Sequence, residues 1–241
     1  MRSLSSQAWM PSSLVGTVAA IITVIITLLG VRAAWVFLVD IPASRKQRSA
    51  FTTTTTRKKA MVRTVIVLGS GGHTAEMLHL THHLDPVLYE RTYIKAATDT
   101  TSQQRLDATD KAAVYSIPRS REVGQSYVSS IRTTARAILY CFQLVARLQP
   151  DLVLCNGPGT CVPVCLATLF FRVVGWMPAC RIVFVESYCR TETLSVTGRM
   201  LYHAADLFVV HWEPLTHSYP NTVLVSTFVA ENAKQDATAR T

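Results

Sequence analysis

The sequence has no Gly-Lys pair behind its glycine-rich turn, no C-x-x-C among its six cysteines, and no acidic residue between Ile41 and Arg63. Each absence narrows the functional classes. Without the Gly-Lys pair there is no Walker-type nucleotide loop. Without paired cysteines the ligand spacings of structural zinc modules are missing. Cys141, Cys155, Cys161, Cys165, Cys180 and Cys189 fall mostly in apolar surroundings and read as small core residues in a reducing compartment. The acid-free stretch holds seven basic residues, Arg45, Lys46, Arg48, Arg57, Lys58, Lys59 and Arg63, and so carries most of the net charge of +9. From Thr64 onward 15 Lys and Arg face 14 Asp and Glu, which leaves +1. A nearly neutral body argues against a broad nucleic-acid-binding face.

What the chain does have begins with a long apolar run. Residues 14–31 are uncharged and almost wholly apolar, and the run continues through Arg32 to Leu38, with Trp35 and Phe37 near its end. About 20 such residues cross the hydrocarbon core as a helix. A cleaved secretory signal has a shorter apolar centre, so residues 14–38 are expected to be an uncleaved transmembrane anchor. An organellar presequence is the competing reading, because residues 1–13 are Ser-rich and lack acids. The positive-inside rule puts the basic linker, residues 39–63, and the domain after it on the cytosolic face, with residues 1–13 across the membrane. Arg32 lies toward the same end and can snorkel to the headgroups. Beyond the linker about 180 residues remain, enough for one α/β domain, 64–230, with a polar tail at 231–241.

The domain is organised around Val65-Ile-Val-Leu-Gly-Ser-Gly-Gly-His-Thr-Ala-Glu-Met-Leu78. Val65 to Leu68 form the short apolar run of a strand covered on both faces. Gly69, Gly71 and Gly72 permit a tight turn, and Thr74 is expected to cap the helix that follows. Such a turn suits an anion, because the first N–H groups of a helix lack intrahelical partners and carry the positive end of the dipole. A dinucleotide fingerprint needs a glycine where Thr74 stands and an acid about 20 residues on; Asp99 comes about 30 residues on. A plain oxidoreductase is therefore disfavoured.

Further elements follow in alternation. The helix at 74–84 is expected to turn Met77, Leu80 and Leu84 to the sheet, with Glu76, His79 and His83 on another stripe. Strands are predicted at 91–97 and 112–117. The loop after the second carries Arg119 and Arg121, which either reach a phosphate or are simply solvated. A long helix at 126–148 is expected to bury Val128, Ile131, Ala135, Ile138, Phe142 and Val145. Strand 152–155 then runs into Asn156-Gly157-Pro158-Gly159-Thr160, a second glycine-containing turn before a helix at 162–174. Right-handed crossovers bring such strand-turn-helix junctions to one edge of a parallel sheet. Strand 181–185 ends at Glu186, which is a candidate general base, a helix-capping acid or the partner of Arg190. Strands are also expected at 206–212 and 223–229.

These residues together resemble a known family. Gly69-Ser70-Gly71-Gly72-His73-Thr74-Ala75-Glu76-Met77, the Pro118–Ser126 loop, Asn156–Thr160, and Val185-Glu186-Ser187 with Arg190 are similar to the asparagine-linked glycosylation protein fourteen family. The resemblance runs from Thr64 to Trp212. It implies the N-terminal half of a GT-B glycosyltransferase, similar to that half of bacterial MurG: a Rossmann-like parallel sheet behind one transmembrane helix. The implied role is that of the endoplasmic-reticulum membrane subunit of an inverting UDP-N-acetylglucosamine transferase acting on N-acetylglucosaminyl-diphospho-dolichol. A separate soluble donor-binding subunit, of the asparagine-linked glycosylation protein thirteen type, is the implied partner. On this resemblance His73 and Glu186 are the catalytic candidates. Gly69, Ser70, Gly71, Gly72, Thr74, Arg119, Arg121, Asn156, Gly157, Gly159, Thr160 and Arg190 are the candidates for binding the acceptor diphosphate. No metal and no cofactor are expected, and no nucleic-acid partner. The alternatives are a subunit of a related lipid-diphosphate glycosyltransferase for polysaccharide assembly, and a scaffold with all the chemistry in its partner. One departure concerns the end of the chain: Val223–Ala230 has no glycine where the family has a short glycine-containing docking segment.

Overall fold

A computed structural model describes residues 12–46, 61–82, 84–109, 112–118, 127–157 and 159–226. Arg119, Arg121, His83, Pro158 and the Thr52–Thr56 run lie outside the described residues.

The apolar run forms helix α1, Ser12–Trp35, which continues through a π-helical turn, Val36–Asp40, into α2, Ile41–Lys46. At 1.5 Å per residue α1 is about 36 Å long, more than the hydrocarbon core requires. Within the helix from Thr17 to Lys46 the most apolar 18-residue stretch has a mean hydropathy of 2.3 and almost no buried residues. It is one N-terminal helix long and apolar enough to cross a membrane. Its end does not simply become a linker. Val36 and Ile41 are fully buried in the main core, so the elbow is part of the domain.

Seven parallel strands form one sheet: β1, Val62–Val67; β2, Tyr89–Ala96; β3, Ala113–Ile117; β4, Leu152–Asn156; β5, Arg181–Val185; β6, Leu207–Val210; β7, Thr222–Leu224. Their order is β3-β2-β1-β4-β5-β6-β7, with Val65 opposite Thr92 on one side and Val153 on the other. Sequence order therefore reverses between β1 and β4. A Rossmann-like sheet binds its ligands at the carboxyl ends of the strands flanking such a switch point. Alternation along β1 sends Val65 and Val67 into the larger core and Ile66 and Leu68 into a smaller one. The larger core takes side chains from α5, Tyr127–Leu148, and α6, Cys161–Val173. The smaller takes them from α3, Gly72–Thr81, and α4, Thr100–Thr109. Short helices α7, Val196–Leu201, and α8, Glu213–Ser218, connect the last strands.

Three expectations change. Thr74 is not a cap: α3 starts two residues earlier, with Gly71 at the N-cap position at φ +65°, and Thr74 is wholly buried, its hydroxyl donating to the Gly69 carbonyl. The sheet-facing stripe of α3 is accordingly Thr74, Met77 and Thr81 rather than Met77, Leu80 and Leu84. Among the described side chains of α5 the buried ones are Ala137, Cys141, Leu144 and the expected Val145; Ile138 and Phe142 are half-buried, Ala135 faces solvent, and Val128 and Ile131 lie outside the described side chains. Helices α4 and α8 were not expected at all. The cysteines behave as core residues. Five of the six are buried, and burial pushes the thiols of Cys141 and Cys180 up to about 12, so they stay protonated and unreactive.

Candidate functional site

Four strand ends converge at the switch point. The turn after β1 holds buried Gly69, exposed Ser70 and Gly71, and Gly72 at the first position of α3. It is braced from behind by α4. Arg105 Nη1 donates to the Gly71 carbonyl (3.0 Å), and Ser102, beside Thr74, donates to Asp99 Oδ2 (2.5 Å). Asp99 in turn accepts from the Ser102 N–H (3.0 Å), which caps α4. The acid weighed as a ribose ligand is thus a helix cap under the glycine turn.

The side chains gather around His73, the second residue of α3. Its Nδ1 lies 3.0 Å from Asn156 Oδ1, at the end of β4. Asn156 Nδ2 donates to Glu76 Oε2 (3.0 Å), and Glu76 Oε1 accepts from Ser187 Oγ (3.2 Å), just past β5. A carboxylate only accepts, so Glu76 fixes the Asn156 amide with its oxygen toward the imidazole. That oxygen also only accepts. In the neutral ring Nδ1 therefore carries the hydrogen, and the lone pair is left on Nε2. The ring is about one-third exposed, at the mouth of the glycine turn.

Gly157 completes this packing. It sits at φ +82°, and a Cβ built there would meet His73 Nδ1 at 2.4 Å. Gly157→Ala is expected to force the imidazole off Asn156 and to cost about 1–3 kcal/mol of stability through backbone strain. The measurement is the pair of imidazole nitrogen resonances together with thermal unfolding. Unmoved resonances would refute the contact. Gly159 is exposed in the same turn, and Thr160, nearly buried, is the N-cap residue of α6 without a side-chain capping bond.

Glu186 is wholly buried at the end of β5. Its Oε1 accepts from the Ser187 N–H (3.0 Å), and its Oε2 from the N–H (2.9 Å) and hydroxyl (3.1 Å) of Ser195. Ser195 then caps α7 through the Gly198 N–H (2.9 Å). Of the three readings open for Glu186, the geometry matches the capping acid. Arg190 is exposed on the following turn, its N–H donating to the Ser187 carbonyl (2.9 Å). The cluster thus brings together His73, Asn156, Gly157 and the glycine turn, and it leaves Arg190 at the rim.

Glu76 and Ser187 join it without having been proposed as site residues. Glu76 carried a readable signal, since i and i+3 share a helix face and His73 lies three residues before it. His211, at the end of β6, is a further addition. Its ring centre lies 5.3 Å from that of Tyr188, with the two planes inclined at 59°, its Nε2 is buried with no hydrogen-bond partner, and burial lowers its pKa against the pull of Glu76 and Glu186. Among the described residues no group of His, Cys, Asp and Glu is arranged to hold a metal ion.

Comparison with known proteins bears on residues well beyond this cluster. The family model described as "Oligosaccharide biosynthesis protein Alg14 like" matches residues 64–228, the whole sheet with its turns. The chain belongs to the Alg14 family. The rat protein named UDP-N-acetylglucosamine transferase subunit ALG14 is 43% identical over 178 residues, covering 68% of this chain and 82% of the rat protein. The human protein of the same name is also 43% identical over 178 residues, with the same coverage. Among solved structures, a UDP-N-acetylglucosamine 2-epimerase superposes with a TM-score of 0.51 and 19% identity over 66% of this Alg14-family chain. That likeness is one of fold, and the chain spans 44% of the epimerase's length.

Proposed function

We propose that this Alg14-family chain is the membrane-anchoring, acceptor-binding subunit of an inverting UDP-N-acetylglucosamine transferase, and the N-terminal half of a GT-B enzyme divided between two polypeptides. The observation that carries the reading is the switch point, where a glycine turn at a helix N-terminus adjoins a histidine whose tautomer is fixed by Asn156 and Glu76. The name shared by the rat and human relatives supports the transferase class and the need for a further subunit.

In this proposal Gly69, Ser70, Gly71 and Gly72, with the N-terminus of α3, hold the diphosphate of N-acetylglucosaminyl-diphospho-dolichol. Thr74 shapes the turn from within. Gly157, Gly159 and Thr160 form the facing wall, Arg190 approaches the charge from the rim, and Arg119 and Arg121 remain candidates for the same charge by their sequence alone. His73 Nε2 takes the proton of the acceptor 4-hydroxyl as that oxygen attacks C1 of the donor. The C1–O bond breaks, UDP departs, and the anomeric centre inverts. Glu186 holds the β5–α7 junction beneath the switch point. A soluble subunit supplies the nucleotide-sugar site. Helix α1 crosses the endoplasmic-reticulum membrane once, and the seven basic residues of 41–63 keep the domain on the cytosolic side.

The test is affinity isolation of the full chain from detergent extract, followed by assay with UDP-N-acetylglucosamine and short-chain diphosphodolichol and diphosphoundecaprenol acceptors. Co-isolation of a small soluble subunit, with transfer to the dolichol-linked sugar that is lost when the subunit is stripped away, is expected. Full activity of the stripped chain would overturn the divided enzyme, and preference for the undecaprenol-linked acceptor would assign it to polysaccharide assembly instead.

A further inference from the structure

The elbow between the apolar helix and the domain borders a half-open cavity of about 570 Å³. Its walls are of two kinds. Phe37, Leu38 and Pro42 present apolar surface from the π-helical turn and α2, while Arg45, Lys46 and His203 present cationic or protonatable tips. None of its lining residues is acidic. The acids nearest the elbow are already engaged, because Asp40 and Asp206 pair with Arg172 and Arg181. Arg45 is held in place by its bonds to the carbonyls of Tyr202 (2.6 Å) and Ala205 (2.7 Å), so its charge is fixed at the wall. Lys46 and His203 are exposed.

The depth of the cavity follows from the helix. Thr17 to Trp35 rises about 28 Å, close to the thickness of a hydrocarbon core. The Arg32 guanidinium lies 4.7 Å from the centre of the Trp35 ring, a pairing of the kind found where hydrocarbon meets headgroups. Val36–Lys46 then lies at headgroup level, with its apolar wall toward the bilayer and its basic wall toward the domain.

We propose that this cavity seats an anionic membrane lipid, with its phosphate between Lys46, Arg45 and His203 and its chain along Phe37 and Leu38. The site lies by the amino-terminal edge of the sheet, under β6 and β7, whereas the glycine turn lies at the carboxyl-terminal edge after β1, at least about 17 Å away by the rise of a five-residue strand alone. The lipid is therefore a second ligand, separate from the acceptor. Its binding fixes the angle at which the domain leaves the membrane. The proposal rests on α1 crossing a bilayer, and it is independent of the transfer chemistry.

The experiment uses the full chain purified in a neutral detergent, with native mass spectrometry counting bound molecules of dioctanoyl phosphatidic acid, dioctanoyl phosphatidylcholine or inorganic phosphate. One phosphatidic acid per chain is expected, with phosphatidylcholine and free phosphate binding far more weakly. Placing an acid at both exposed positions, Lys46→Glu with His203→Glu, is expected to weaken phosphatidic acid binding at least about tenfold, since each charge near a bilayer contributes on the order of 1 kcal/mol. Asn221→Trp, which narrows the cavity without altering its charge, is expected to weaken it as well. Unchanged phosphatidic acid binding in the double variant, or equal binding of phosphatidylcholine or of free phosphate, would overturn the site. Resistance of the wild-type chain to carbonate extraction, measured alongside, tests the membrane anchor separately.

Discussion

In the two-subunit enzyme proposed above, replacing His73 by Ala is expected to lower kcat by about 10²–10⁴, the range lost with a general base, while leaving subunit association intact. His73 is only the second residue of α3, and its ring is about one-third exposed, so its removal opens no cavity in the core. His73→Gln separates the two roles a histidine can play here. Glutamine brings an amide nitrogen near the Nε2 position, where it can donate but has no lone-pair nitrogen to accept a proton, so it is expected to be as slow as the alanine variant if the ring is a base. If the ring merely donates a hydrogen bond to phosphate, the glutamine variant retains most of the rate. Added imidazole should restore part of the activity of His73→Ala and none of that of His73→Gln, where the pocket is filled. Turnover within twofold of wild type in both variants would assign the chemistry to the partner and leave this chain as a scaffold.

The orienting groups should fall in order of their distance from the reacting atom. Glu76→Gln lets the Asn156 amide turn over, which presents its nitrogen to the imidazole and moves the ring hydrogen to Nε2, the wrong tautomer. Such a variant is slowed through His73 without touching the substrate.

Some of this was legible in the sequence and some was not, for reasons that differ between elements. The strand-turn-helix unit at the switch point was legible because four consecutive apolar residues followed by glycines have few other solutions. The same holds for β5, whose predicted and observed bounds coincide at Arg181–Val185. Helix α4 was missed because Thr-Thr-Ser-Gln-Gln-Arg-Leu buries only Ser102 and Leu106 among its described side chains, too little for an apolar period to be visible. Its start was nonetheless marked by Asp99, three residues before the N–H it accepts. In α5 apolar residues occupy more than one face, and Leu139 and Tyr140 remain exposed, so periodicity found Val145 and the core-packed Phe142 but also took in the exposed Ala135. The turn after β1 defeated the capping rule for a stereochemical reason: Gly71 adopts φ +65°, which lets the helix begin before Thr74 and turns that hydroxyl inward. His73 and Asn156 were both singled out, yet their contact joins α3 to β4 across 83 positions, a pairing no local pattern encodes.

The largest loss of stability is expected from Arg172→Met. Arg172 is wholly buried in α6, and its guanidinium donates to Asp206 Oδ2 (2.6 Å) and Asp40 Oδ2 (2.6 Å). Arg181 also reaches Asp40 (3.1 Å), and Ser44 donates to Asp206 Oδ1 (2.7 Å), so the cluster stitches the elbow after α1 to the amino-terminal ends of β5 and β6. Two carboxylates balance two guanidinium groups. Taking both pairs out of water consumes much of their attraction, so the intact cluster adds little net stability. Removing its buried cation is another matter, because Asp206 and Asp40 are then left facing each other with only the more exposed Arg181. The expected cost is about 3–5 kcal/mol, a large part of the stability of a domain of this size. Asp40→Asn should cost less, since Asp206 still faces Arg172 and the amide can still accept a hydrogen bond. Denaturant unfolding of the full chain in detergent, followed by tryptophan fluorescence, would measure both. A loss below about 1 kcal/mol for Arg172→Met would mean that water enters the cluster and that the elbow is a loose tether. The expected loss, accompanied by faster proteolysis at Arg45 and Lys46, would mean that anchor and domain unfold as one unit.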